Sequence, residues 1–190
     1  MMTPLEVLEA PEDQVWLTGA FGFTPSDWGY LSFTDKGRRD YVLKETQPGF
    51  LAVIYGSTNK LVRQTERRKI LGIVQCSHVA GIASDYLSRE GHARWEEIRT
   101  SPNSWKFAIQ LLRAWKVCEE SRPYVKDFAT DTYRPEKGRS ISRYSAKLTA
   151  HEAQKLRDLE IIEIDVFNIR PRFQSGVGQA KDIFARPYDY

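Results

Sequence analysis

Two apolar runs separated by a basic stretch organise the pattern along this chain. Gly49 to Gly56 is apolar, rich in β-branched and aromatic side chains, and bounded by turn residues, so it predicts a buried strand. Ile70 to Val79 predicts a second, closed by Gly81. Upstream, Gln14 to Gly19 predicts a first strand, and Thr34 or Asp35 is a candidate N-cap for a short helix weakened by Gly37. Ser84 to Glu90 predicts one or two helical turns, ended by Gly91 and His92, with another turn at 95–99 and a reverse turn at Ser101 to Ser104. From Trp105 to Val117, Trp105, Phe107, Ile109 and Leu111 alternate with Lys106, Ala108 and Gln110. Phe107, Leu111 and Trp115 also stand at helical spacing, but the aromatic, β-branched start favours a long strand, bent or bulged near Leu112. A short helix opening at Pro123 is expected next. Thr149 to Glu152 spells a capping box, continued by Ala153, Leu156 and Leu159, and 161–167 predicts a final strand.

These elements describe an α+β chain, with strands that form a sheet and peripheral helices. With 190 residues, it divides into a lead-in over 1–12, one domain over 13–167 and a basic tail or linker over 168–190. A hydrophobic content of 41% excludes a disordered chain. Two cysteines, Cys76 and Cys118, each in an apolar run, suit small core residues in a reducing compartment. With an acidic, proline-bearing start and no run of roughly 20 apolar residues, a cytoplasmic, membrane-free protein is expected.

The net charge of +3 is modest, so any case for a polyanion partner rests on local clustering. The stretch between the two central strands holds Lys60, Arg63, Arg67, Arg68 and Lys69 against Glu66 alone. It reads either as a phosphate-holding rim or as a solvated hairpin tip. A second cluster holds Arg134, Lys137, Arg139, Arg143 and Lys147, with Tyr133 and Tyr144 interleaved. Gly19 to Tyr30 is dense in glycine and aromatics, which suits either close approach to a ligand or a loop folding over its own rings.

Tests for catalysis give little. His78, His92 and His151 are scattered; Cys76 and His78 share a face at strand spacing but lack a second ligand pair, so no metal or other cofactor is expected. No phosphate-binding glycine loop, nucleophile elbow or paired-cysteine deaminase signature occurs. The acid pairs Glu96–Glu97 and Glu119–Glu120 are adjacent and diverge in regular structure. The chain therefore reads as a binding module and not an enzyme by itself.

The order of elements, with Trp16 to Gly19, Pro48 to Gly56, Ile70 to Gln75 and the strand opening at Trp105, resembles the PUA-like superfamily and its EVE and YTH branch over about residues 13–165. The stretch 82–104 is longer than that pattern expects. The resemblance implies a small, strongly bent β-sheet or pseudo-barrel with peripheral helices that takes one modified base into an aromatic-walled pocket. EVE-like domains occur at the N-terminus of modification-dependent restriction enzymes, ahead of an HNH nuclease. No such nuclease motif is present here, and the tail after Asn168 would correspond to a linker.

The expected partner is double-stranded DNA carrying a modified base, most simply a modified cytosine flipped into the pocket. The expected pocket residues are Trp16, Phe21, Phe23, Trp28, Tyr30, Tyr55, Trp105, and Ser57 and Asn59 as edge hydrogen-bonders. The expected phosphate contacts are Lys60, Arg63, Arg67, Arg68, Lys69, Arg139, Arg143 and Lys147. Trp28 is the expected lid or wedge, placed in a loop where its bulk is not needed for packing. Competing readings are a reader of modified RNA, a small enzyme with an unrecognised site, and a protein-interaction domain.

Overall fold

In a computed structural model, residues 14–99, 104–133 and 146–167 are described. The elements in order are β1 (Val15–Ala20), β2 (Tyr30–Phe33), α1 (Lys36–Glu45), β3 (Leu51–Gly56), β4 (Ile70–Ile82), α2 (Arg89–Ile98), β5 (Phe107–Val117), α3 (Val125–Phe128), β6 (Ala146–Lys147), α4 (Ala150–Gln154) and β7 (Ile161–Ile164). They build one strongly curled, mixed sheet in the order β2-β5-β4-β3-β1-β6, with β7 also on β5. The small α+β bent-sheet architecture is the one expected. The lead-in at 1–12 and the tail at 168–190 lie outside the described residues. No helix among the described residues is long and apolar enough to cross a membrane.

Strand β3 is buried at all six positions. It pairs in parallel with β1, from Val15↔Leu51 to Ala20↔Gly56, and antiparallel with β4. Strand alternation sends its side chains to two cores. Leu51, Val53 and Tyr55 join Val15, Leu17, Ile73 and Trp115 under α3 and α4; Ala52 and Ile54 join Trp16, Leu31, Phe33, Val74 and Leu111 under α1. A third cluster gathers Tyr30, Tyr86, Leu87 and Trp95.

The bulge expected near Leu112 is present. Gln75 pairs Arg113 and Cys76 pairs Leu111, so Leu112 has no partner on β4, and its side chain is exposed. The irregularity divides the outer edge of β5 between two strands: β2 occupies 107–110 and β7 occupies 114–117. Arg113 fastens β7 further through two bonds of 2.8 and 2.9 Å to the Glu163 carboxylate, which raise the guanidinium's pKa and lower the carboxyl's.

Several expectations are corrected. Gly91 and His92 do not end a helix: α2 runs through both, capped by the Ser88 hydroxyl, which accepts from Gly91 N–H at 2.9 Å. Gly91 is there for contact, since a Cβ would stand 2.4 Å from the Asp27 carbonyl oxygen. Pro123 precedes the N-cap Tyr124 and lies outside the helical turn. Strand β2 falls where the aromatic loop was expected to lead directly into the helix at Asp35. Cys76 and His78 do not act as a strand pair: between Cys76↔Leu111 and Ala80↔Ile109 the ladder slips by a wide bulge, leaving Cys76 fully buried and His78 exposed. Cys118 is only half-buried. The turn expected from Ser101 lies outside the described residues up to 103.

The capping box at Thr149 carries more than a helix start. Glu152 is fully buried. One carboxylate oxygen accepts from Asp131 N–H at 2.8 Å and Thr132 N–H at 2.9 Å. The other accepts from Thr149 N–H at 3.0 Å and from the Thr132 and Thr149 hydroxyls. Burial alone pushes this carboxyl up, but the bonds from Thr132, Thr149 and Asp131 outweigh it and hold it down at about 2. A single buried anion thus pins residues 131–132 to α4.

Two measurements test this account. Ile73, fully buried opposite Trp115 in the ladder, should cost about 2–5 kcal/mol when replaced by alanine, read from chemical denaturation. Unchanged stability would overturn the two-core assignment. The Glu152 carboxyl is lowered on folding, so its contribution is complete above the unfolded value of about 4.3 and is lost as pH falls toward about 2. Glu152→Gln should destabilise by roughly 1–3 kcal/mol at neutral pH, because an amide cannot accept from all these donors, and should flatten the acid limb of stability against pH.

Candidate functional site

Parallel pairing of β1 and β3 brings both strands to an end at one level. Ala20 stands opposite Gly56, and Ser57 N–H donates to the Ala20 carbonyl at 2.9 Å. The aromatic loop that leaves β1 and the basic loop that leaves β3 are therefore neighbours. Between them opens a cleft of about 1080 Å³. Ile54, Val74, Leu31 and Leu111 contribute its apolar surface, Arg38 and Tyr41 come from α1, and Arg94 and Ile98 come from α2.

Eight of the nine residues expected to form a pocket line this cleft: Phe21, Phe23, Trp28, Tyr30, Tyr55, Ser57, Asn59 and Trp105. Trp16 does not. It is buried, stands edge-on to Tyr41 at 6.3 Å, and borders a separate shallow depression with Lys147.

The rings within the cleft differ in freedom. Phe23 lies over Gly72, where a Cβ would come within 2.3 Å of its ring, so a glycine in β4 makes the seat for this side chain. Trp28 contradicts the expectation of a ring not needed for packing. Its backbone bridges Leu87, its N–H donates to the Thr24 carbonyl, and its ring packs on Tyr30 at 6.1 Å. Tyr30 and Tyr55 are themselves buried, and burial raises both phenols' pKa, with Tyr133 adding to the effect at Tyr55. Tyr133 meets Tyr55 edge-on at 5.7 Å and reaches the cleft directly after the segment that Glu152 pins.

Phe21 and Trp105 form the opposite edge-on pair, with centroids 4.8 Å apart. Trp105 adopts φ +55°, unfavourable for a bulky L-residue. Arg68, at φ +59°, is the other non-glycine residue with positive φ among those described, and it too lines the cleft. Among the described residues, both non-glycine positions with positive φ therefore lie at this cleft.

Asn59 Oδ1 already accepts from Leu61 N–H at 2.9 Å, and Ser57 Oγ accepts from Asn59 N–H at 3.4 Å. The Asn59 amide NH₂ and the Ser57 O–H can each donate to a ligand. Arg38, Arg68 and Arg94 stand against one lining carboxylate, Asp35, whose oxygen accepts from Arg38 N–H at 3.0 Å as the helix cap.

The expected phosphate contacts separate. Arg68 lines the cleft; Lys60 and Arg63 are exposed on the loop outside it. Arg67 turns inward, donating to the Val62 carbonyl at 3.0 Å and the Lys60 carbonyl at 3.2 Å, so it shapes the loop. Lys69 lies over Tyr124, and Lys147 is exposed beside the Trp16 depression. Arg139 and Arg143 lie outside the described residues. Sequence reasoning missed Arg38, Tyr41, Arg94 and Tyr133 at the cleft; Arg38 and Tyr41 share a helix face at three-residue spacing, the only available signal. Among the described residues no group of three His, Cys, Asp or Glu is placed to hold a metal ion.

No family model, curated protein or solved structure matches this chain.

The loop carrying Trp28 and Tyr30 is held from outside. Phe167 N–H donates to the Pro25 carbonyl at 2.9 Å, and a Cβ on Gly29 would fall 1.7 Å from the Phe167 carbonyl oxygen. Gly29→Ala should therefore displace backbone and cost roughly 1–3 kcal/mol, with a change in the fluorescence of the neighbouring tryptophan. A variant with unaltered melting and emission would show that this clamp is absent.

Proposed function

We propose that this protein is a nucleic-acid-binding module that reads a modified base, most simply a modified cytosine in DNA, by taking the flipped nucleotide into the cleft beyond β1 and β3. The observation that supports the reading is the composition of that cleft: nine aromatic residues and three arginines around a single, capped carboxylate. Its volume lies just above the roughly 300–1,000 Å³ common for small-molecule sites, so it has room for a base with its sugar and phosphate. Flipping costs a few kcal/mol, and stacking returns about 1–3 kcal/mol per base. Donors at Ser57 and Asn59 suit the adjacent acceptors O2 and N3 of cytosine. Arg68 and Arg94 suit the flanking phosphates, which supply most of the affinity.

The finer fold reading is part of the same proposal. A PUA-like domain of the EVE type is the arrangement that the order of elements resembles, and it would serve as the recognition part of a modification-dependent restriction system, with the nuclease carried elsewhere.

The test is binding to duplexes that differ at one cytosine modification, with matched RNA in parallel. Phe21→Ala and Trp105→Ala should lose most of the preference for the modified duplex while weak nonspecific binding survives. Arg68→Ala should leave the preference intact and lower the slope of log affinity against log salt by about one. Equal losses on modified and plain duplexes would refute a base pocket, and stronger binding of RNA would transfer the reading to that polymer.

A further inference from the structure

Outside the cleft, one aromatic ring carries two cations. Tyr124, 49% exposed, has Lys69 Nζ at 5.6 Å and Lys126 Nζ at 5.9 Å from its ring centroid. Each contact is a cation–π attraction, but together they gather two positive charges at one side chain. Among the described residues neither ammonium has a carboxylate within ion-pair distance. Of the acids in this part of the chain, Glu66 pairs with Arg122 and Glu119 with Lys116 and Arg122, while Asp127, next to Lys126 in the helix, forms no ion pair with either lysine. The ring is therefore an exposed flat face beside two ammoniums that no carboxylate pairs among the described residues.

This ridge is fixed to the cleft by backbone. Val125 N–H donates to the Arg68 carbonyl at 2.7 Å, Ile70 N–H donates to the Pro123 carbonyl at 2.9 Å, and Lys69 and Tyr124 form a bridge between these bonds. On its other side the same segment is tied to the end of β3, where Arg68 N–H donates to the Gly56 carbonyl at 2.7 Å. Arg68 lines the cleft, and its neighbour Lys69 lies on Tyr124.

We infer that Lys69, Tyr124 and Lys126 form a second contact platform, which holds the nucleic-acid strand where it continues from the cleft: the two ammoniums on its phosphates, the tyrosine ring against an adjoining base or sugar. The inference rests on the base-reading proposal and adds a path for the flanking strand. The chemistry recognised is that of alternating phosphates and flat rings. A compact anion would satisfy the lysines but leave the ring unused.

The experiment compares three probes by fluorescence anisotropy or competition: a mononucleotide carrying the modified base, and long DNA with and without that base. Tyr124→Ala should weaken both long DNAs by about tenfold. It should leave mononucleotide binding and the preference between the long DNAs unchanged. Tyr124→Leu, which keeps apolar bulk without the ring, should lose nearly as much. Lys69→Gln and Lys126→Gln should each lower the salt slope by about one. Melting curves establish that the variants fold. Unchanged affinity and slope for long DNA in all four variants would overturn the platform, even with base preference intact. The reverse result, weakened long-DNA binding by a protein with no preference for any modified base, would uphold the platform and remove the base-reading proposal. A wild-type protein that binds no long DNA overturns both.

Discussion

The structure depends on β3 being buried on both sides and along both edges. A strand so enclosed can exchange neither its hydrogen bonds nor its side chains with water, so its register with β1 is strongly fixed. Parallel pairing has a consequence that an antiparallel hairpin lacks. Both strands end at the same level, and the loops after Ala20 and after Gly56, far apart in sequence, leave the sheet side by side. An aromatic loop thereby faces a basic one across a space that neither encloses alone. The site follows from this topology, and its chemistry comes from the two loop sequences.

Packing then sets which loop residues remain available. Phe23 is seated on Gly72, Trp28 is committed to the cluster around Tyr30, and Arg67 is committed to loop carbonyls. Phe21 and Arg68 are the less committed members, while Trp105 packs partly on the cluster that holds Trp28. Arg68 and Trp105 hold backbone angles that cost of order 1–3 kcal/mol in non-glycine residues. The surrounding structure sustains them: Arg68 is clasped between Gly56 and Val125, and Trp105 packs against Phe21. Strain held in place by neighbours on both sides is a way to aim a side chain before a ligand arrives.

The sequence made the well-buried and locally signalled parts legible. β3 and β4 appear as apolar runs, Asp35 and Thr149 as caps, and the bulge at Leu112 as a break in alternation. What was not legible depends on contacts distant in sequence. β2 has only four residues, and its partner lies in β5, more than seventy residues away. Gly91 looks like a helix terminator because glycine usually is one, yet its role is to admit the Asp27 carbonyl. Cys76 and His78 obey strand spacing on paper, but the wide bulge in the ladder removes that relation. Trp16 shares its strand face with Thr18 and Ala20, which line the cleft, but it stands at the opposite end of β1 and is taken up in the core beneath α1 with Val42. The contributions of α1 and α2 to the cleft, Arg38, Tyr41 and Arg94, required knowing where those helices dock.

A net charge of +3 understates what this protein presents to an anion. Acids and bases are close in number over the chain, and the ion pairs among the described residues engage five of each, so what matters is where the remaining charges stand. Glu163 is held by Arg113, Glu66 by Arg122, Glu119 by Lys116 and Arg122, Asp40 by Arg39, and Glu96 by Arg99. Asp35 caps a helix, and Glu152 is consumed inside the fold by hydroxyls and backbone. Among the described residues, Arg68 and Lys69, with Lys126 beside them, form no ion pair with a carboxylate on the side where β3 ends. Fields at a protein surface follow local groupings within about a Debye length more than the total. A polyanion meeting that side would encounter a cationic face on a nearly neutral molecule, and bulk charge alone would not predict it.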